Sequence, residues 1–187
     1  MISALKFLLL IFFILPQDDL QQHLYFTDNG TISFRSEAQR ELIKASSNML
    51  KGVLNPATRT FVFKVAVRSF AGFNSSLQQE HFNEKYLESE KYPDAYFNGK
   101  IIEDLDLFID GKYDLRAKGK LTIHGVDVER IIRSKVNVVN GKVFIESHFN
   151  ITLSDHNIKI PKVVHEKIAR EIIVELKAEL LKKAIAD

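Results

Sequence analysis

The sequence has no cysteine and no tryptophan, and only four of its 187 residues are proline. Without cysteine there can be no disulfide framework, thiolate zinc site, cysteine nucleophile or lipid-modified cysteine. The redox compartment stays open, because a protein in an oxidising space can do without bridges. A dominant charge sign is missing too: 26 Lys and Arg against 24 Asp and Glu leave a net +2. No basic block stands out, and nucleic-acid affinity rests on clustered Lys and Arg, so nucleic acid is not an expected partner. Also absent are a Gly-x-Ser-x-Gly elbow, a Gly-rich phosphate loop, internal repeats and low-complexity tracts. The chain is long enough for one good core and short for two.

One apolar run does stand out. Lys6 precedes Phe7 to Leu15, and Pro16 then breaks the run before "QDDLQQ". The run is too short for a bilayer core of about 30 Å. It fits the h-region of a secretory signal peptide, so residues 1–20 are expected to be cleaved off near Pro16 to Leu20. Residues 21–187 would then form one secreted domain. The small-residue cleavage pattern is missing, and a retained interfacial anchor is the alternative.

From Thr31 onward the dominant period is two. In "KVFIESHFNITL", Val143, Ile145, Ser147, Phe149, Ile151 and Leu153 share one face. Lys142, Glu146, His148, Asn150 and Thr152 share the other, with Phe144 the exception. Such alternation marks a half-buried antiparallel strand. The pattern predicts eight strands, at about 31–37, 41–51, 60–70, 94–104, 112–124, 127–139 (bent near Ile131), 142–153 and 169–181. Turn signals separate them at "NPATR", "DGK" and "NGK". The last segment, "EIIVELKAELLKK", is built of helix formers. However, Ile172, Val174, Leu176, Ala178 and Leu180 alternate with charged residues, so a closing strand is expected rather than a helix. Eight strands joined by short turns predict an all-β antiparallel barrel wide enough for one ligand. Between the third and fourth strands, Ser75–Ser76 can cap a short helix carrying Leu77, Phe82 and Tyr86. This connection is expected to lie across an end of the barrel.

Two blocks, "HFNEKYLESEKYPDAYFNGKI" and "KGKLTIHGV", resemble the YceI-like family, the bacterial polyisoprenoid-binding proteins. The matching elements are His81–Phe82–Asn83, Tyr92–Pro93, Phe97 and Leu121 to Gly125. Two positions depart from the family pattern: Gly30–Thr31 stands where His-Ser is frequent, and Asn83 where Asp is common. The resemblance implies an eight-stranded, lipocalin-like barrel, exported to the periplasm, that encloses an isoprenoid chain.

The apolar strand faces are the expected lining. They comprise Phe61, Phe63, Val65 and Val67; Phe97; Leu115, Leu121 and Ile123; and Ile145, Phe149 and Ile151. Small residues (Ala45, Ser47, Ala117, Gly119, Ser147) interrupt these faces and leave room for a cavity. The ligand expected there is an apolar lipid: a polyisoprenoid, an isoprenoid quinone or a similar long chain. Transient membrane contact would accompany its loading. The alternative is a structural or stress-response barrel, filled by its own side chains and acting through its surface.

No cofactor, metal or catalytic residue is expected. His124, His148, His156 and His165, with Asp155 and Glu166, lack a compact ligand spacing and read as solvated surface groups. His124 falls on the charged face, where it packs at a strand end or donates to a backbone carbonyl. Ser154–Asp155–His156 has triad residue types, but a triad is assembled in space rather than by adjacency. Asp104 and Asp106 read as solvated.

Overall fold

A computed structural model describes residues 23–184. The apolar run at Phe7 to Leu15, and the cleavage expected beside it, lie outside the described residues. The strands are β1 (His23–Glu37), β2 (Leu42–Asn55), β3 (Thr60–Ala66), β4 (Asp94–Ile101), β5 (Gly111–Ile123), β6 (Val126–Val139), β7 (Lys142–Thr152) and β8 (Glu171–Ala184). They close in chain order into one antiparallel barrel, with β8 paired to β1. The expected eight-stranded barrel is what forms.

The C-terminal segment is a strand. Val174, Ala178 and Leu180 are buried, while Glu175, Lys177 and Glu179 are exposed. Period-two burial against β7 and β1 outweighs the helix propensity of Glu, Leu and Lys.

Strand lengths differ from expectation for identifiable reasons. β1 begins at His23 instead of Thr31, because its pairing register shifts around Asp28–Thr31. Tyr25 and Thr27 are buried on one side of this β-bulge, and Gly30 and Ser36 on the other. A bulge moves the inward set by one residue and so hides the continuity of the strand from an alternation test. β2 has the same break between Ser47 and Leu50, and it runs on to Asn55. β3 stops at Ala66, where the chain enters a 3-10 turn at Val67–Ser69. β4 stops at Ile101, where the chain leaves the sheet for the 102–110 connection. That connection makes "DGK" the entry to β5 rather than a tight hairpin. β6 pairs with β5 along its whole length without a register shift.

Two hairpins are tight. His124–Gly125 and Asn140–Gly141 each have positive φ at both positions (52° and 71° in each case), the two-residue turn that matches strand twist. A Cβ on Gly125 would also meet the Tyr92 ring at 2.3 Å.

The expected helix cap is present. Ser75 Oγ accepts from Gln78 N at 3.2 Å and starts α1 (Ser76–His81), which runs into a π-helical turn at Phe82–Tyr86. The connection crosses the barrel end where β1, β3, β5 and β7 finish. At the other end Leu107, from the 102–110 connection, is fully buried and closes the barrel.

Candidate functional site

The barrel encloses two adjacent apolar chambers. The larger, of about 480 Å³, lies at the end crossed by α1 and opens there; the smaller, of about 100 Å³, lies deeper. The first volume is in the range of pockets that hold small organic ligands. Ile32, Val65, Ala95, Leu121 and Phe149 border both chambers and form a waist between them.

All the expected lining residues face this space. Phe61, Phe63, Phe97, Leu115 and Ile145 line the deep chamber. Val67, Ile123 and Ile151 line the large one, and Val65, Leu121 and Phe149 stand at the waist. Val67 does so from a 3-10 turn rather than from a strand.

The small residues divide. Ala117 and Ser147 leave room in the deep chamber, as expected. Gly119 does not: a Cβ there would stand 2.2 Å from Asn98 O, so this glycine serves close approach of β4 and β5. Ala45 and Ser47 border neither chamber. Ser47 Oγ instead meets Ser69 Oγ at 2.6 Å, which fixes the chain leaving β3.

The roof of the large chamber is aromatic, and strand alternation did not reveal it. Phe82, from the π turn, stacks on Phe34 with centroids 5.3 Å apart and planes 15° apart. Phe73 and Phe70 pack on Phe82 at 5.1 and 5.8 Å. Phe70 and Phe73 come from the connection after β3, where no period holds, whereas Phe82 belongs to the short helical segment expected across the barrel end. The β7–β8 connection adds Ile158, Val164 and Ile168 to the wall. Polar groups gather at the opening: Glu41, Ser75, Gln78, His81 and Lys167. Gln78 Nε2 donates to Glu41 Oε1 at 2.9 Å.

Beside the chamber the barrel wall is spliced. β6 and β7 pair only from Ser134–Ser147 to Val139–Lys142, and the two serine hydroxyls stand 2.6 Å apart where the strands part. The gap above is filled by the 3-10 turn Leu153–His156. His156 is buried there, 2% exposed, and not a solvated surface group. The 3-10 turn carries it inward beside the stretch of β6 that β7 does not pair: His156 Nδ1 lies 3.2 Å from Val126 O, at the start of β6. Burial pushes its pKa below the ordinary histidine value. Arg130 Nη2 closes the same gap by donating to Asn150 O at 2.6 Å.

His124 is not on the open charged face. It has left the strand for the turn, and its side chain is 14% exposed. Its Nδ1 lies 3.1 Å from His156 O and its Nε2 2.7 Å from Glu88 Oε2, with Tyr92 edge-on at 4.9 Å. The ring latches three segments together: the lid connection, the β5–β6 turn and the splice. The expected bond to a backbone carbonyl is there, and the ring does not border either chamber. His148 is exposed on the outer face, as expected. Asp104 is exposed and pairs with Arg59 at 2.9 Å. Among the described residues no group of three or more His, Asp or Glu side chains is placed to hold a metal ion.

The chain matches the family model of the YceI-like domain over residues 22–180. Among solved structures it is similar to a polyisoprenoid binding domain from Saccharophagus degradans implicated in plant cell wall breakdown, with TM-score 0.67 and 14% identity over 88% of this chain and 99% of that one. It is also similar to BcnA of Burkholderia cenocepacia, with TM-score 0.65 and 17% identity over 81% and 95% of the two chains. The YceI protein of Campylobacter jejuni gives TM-score 0.56 and 17% identity over 81% and 90%. No curated protein matches the sequence. At these identities the solved structures speak for the fold.

Proposed function

The chain belongs to the YceI-like domain family, and on that premise we propose that it is a lipid-binding protein, not an enzyme, that encloses an isoprenoid or similar long apolar chain in its barrel. The observation that carries this reading is the large chamber of about 480 Å³, walled by phenylalanine and branched aliphatic side chains and open at one end. Similarity to a polyisoprenoid binding domain supports it.

Burial supplies the affinity. Each methylene withdrawn from water contributes about 0.8 kcal/mol, so one isoprene unit contributes roughly 3. A few enclosed units reach the ~8 kcal/mol of micromolar binding after the cost of immobilisation. The tail enters past the waist at Phe149, and the polar rim of Glu41, Gln78, His81 and Lys167 faces the head. Specificity for the head is therefore set by few groups and affinity by many.

Organic extraction of gently purified protein, followed by mass spectrometry, tests the reading. A co-purified long-chain lipid at near one per barrel is expected. A barrel that emerges empty, and takes up no added prenyl chain, overturns it. Export belongs to the same proposal: amino-terminal sequencing of protein from its native host is expected to begin beyond Pro16, in a periplasmic or secreted fraction. Intact Met1 in a soluble cytoplasmic fraction overturns that part alone.

A further inference from the structure

Three segments border the opening: the β1–β2 turn, α1 and the 153–170 connection. They are tied to one another, with Arg40 N donating to Glu166 O at 2.9 Å and Asn74 Nδ2 to Leu42 O at 3.0 Å. Each segment holds an apolar side chain out to solvent: Leu42 is 51% exposed, Leu77 56% and Val163 90%. Val163 sits in a 3-10 turn, Lys162–Val164, which Pro161 precedes, and its neighbour Val164 lines the chamber. One turn therefore touches the lumen and the solvent together. Single exposed apolar residues are ordinary. Three of them around the mouth of an apolar lumen call for a partner.

Charge identifies that partner. The connection holding Val163 carries Lys159, Lys162, Lys167 and Arg170 against Asp155 and Glu166. Glu166 is neutralised by Arg40 at 2.7 Å and Asp155 lies 4.0 Å from Arg130, whereas Lys159, Lys162 and Lys167 make no ion pair among the described residues. Across the mouth stand Glu41 on the rim and exposed Glu80, Glu84 and Lys85 on α1 and its π turn, so the cationic side of the rim leads. The closed end is built differently. Ile109 and Phe108 are 60% and 45% exposed there, Glu103 and Asp104 on the same connection pair with Arg116 and Arg59, Asp106 and Asp110 make no ion pair among the described residues, and Lys182 stands over the Phe108 ring at 5.1 Å. Apolar side chains beside a run of unpaired lysines suit an anionic bilayer, and only at the open end do they also border the mouth of the large chamber.

We propose that the barrel docks by its open end on an anionic phospholipid bilayer, with Val163 and Leu77 entering the headgroup–acyl boundary and Lys159 and Lys162 against the phosphates. The proposal rests on the lumen being a lipid site: docked in this way, the mouth takes or releases its lipid without exposing the tail to water.

The absence of tryptophan makes the test direct. Two variants of the full chain, Val163→Trp and Ile109→Trp, each carry a single indole, one at each end. Both are mixed with vesicles of phosphatidylcholine and phosphatidylglycerol whose acyl chains are brominated. The Val163→Trp emission is expected to shift to the blue and be quenched, while that of Ile109→Trp stays unchanged. Adding Lys159→Gln and Lys162→Gln to Val163→Trp is expected to weaken vesicle affinity roughly thirtyfold, the loss of two cations near an anionic surface. Quenching at the Ile109→Trp end alone, or at neither end, overturns the proposal; so does quenching of Val163→Trp that is indifferent to the two lysines. Lipid extracted from the same variants separates the two readings. Docking without any retained lipid would sink the lumen reading and leave the docking surface standing, whereas retained lipid without quenching would do the reverse.

Discussion

The two halves of the barrel are built from the same strands with the same alternation, yet one is packed down to a chamber of about 100 Å³ and the other is hollow, with one of about 480 Å³. At the closed end Tyr25, Leu50, Leu107, Val138, Val143 and Leu180 are each at most 2% exposed. At the open end Phe34, Phe73, Phe82, Phe149 and Ile168 reach only partial burial around the large chamber. The difference lies in what the connections deliver. The 102–110 connection sends Leu107 into the barrel as a plug, while the connection after β3 lays a roof of phenylalanines across its end. Alternation determines which face a side chain takes. Whether the faces meet depends on the connections.

The largest expected effect tests that difference directly. Leu180→Ala at the closed end removes a fully buried side chain from close-packed surroundings and is expected to cost about 2–5 kcal/mol. Ile168→Ala, on the hollow end's wall, already faces empty space and is half-exposed; about 1 kcal/mol is expected from lost burial alone. Urea unfolding of the two variants measures both. Equal losses would mean that the open end is packed as tightly as the closed one.

Phe149→Ala sits between the two, at the waist, and is expected to cost about 3 kcal/mol, with partial relief when a ligand tail fills the space. The sharper readout is the retained lipid. Joining the chambers is expected to favour longer or bulkier chains, seen by mass spectrometry of extracts. An unchanged lipid profile would place the chain elsewhere.

This contrast also explains what the sequence could reveal. Strands with unbroken period two were readable to within a few residues, β5 and β8 included, and so was the set of side chains facing inward. β1 was truncated because the bulge at Asp28–Thr31 resets the phase, and a parity test cannot see through a reset. The helical cover carrying Phe82 was legible, but Phe70 and Phe73 were missed as part of the roof because they lie where a 3-10 turn gives way to a loop. His156 read as solvated because its burial comes from strands that fail to pair, a tertiary fact without local trace. Gly119 read as room for a ligand, although the nearness of Asn98 O is what requires glycine.

The splice makes a smaller prediction, in pH. His156 is held neutral by burial, with its folded pKa below 6.5. Well above pH 6.5 neither the folded nor the unfolded state is protonated there, and the residue adds no pH dependence. As the pH falls below 6.5 the unfolded chain takes up the proton first, so stability declines until the folded pKa is passed. His156→Gln removes this component. Stability of wild type and variant at pH 7.5 and 5 is expected to show a steeper acid loss in the wild type, smaller than the cost of Phe149→Ala. Parallel curves would mean that the splice admits a charged ring.

The smallest effect belongs to the outer face, where the ends should not differ at all. Glu175 lies outward on β8, between Val174, 4% exposed, and half-buried Leu176. Its carboxylate is 3.9 Å from Arg35 and 3.6 Å from the His148 ring, both well exposed. Such pairs contribute about 0–1 kcal/mol, because water screens the charges and two long side chains must be held still. Glu175→Lys replaces weak attraction with weak repulsion toward Arg35, so a loss of at most about 1 kcal/mol is expected, shrinking with added salt. Urea unfolding at low and high salt measures it, beside Leu180→Ala on the same strand. A salt-independent loss as large as that of Leu180→Ala would mean that the outer face of β8 is covered rather than solvated. The contrast between a filled and a hollow end would then have to include what packs outside the barrel as well as what lies within it.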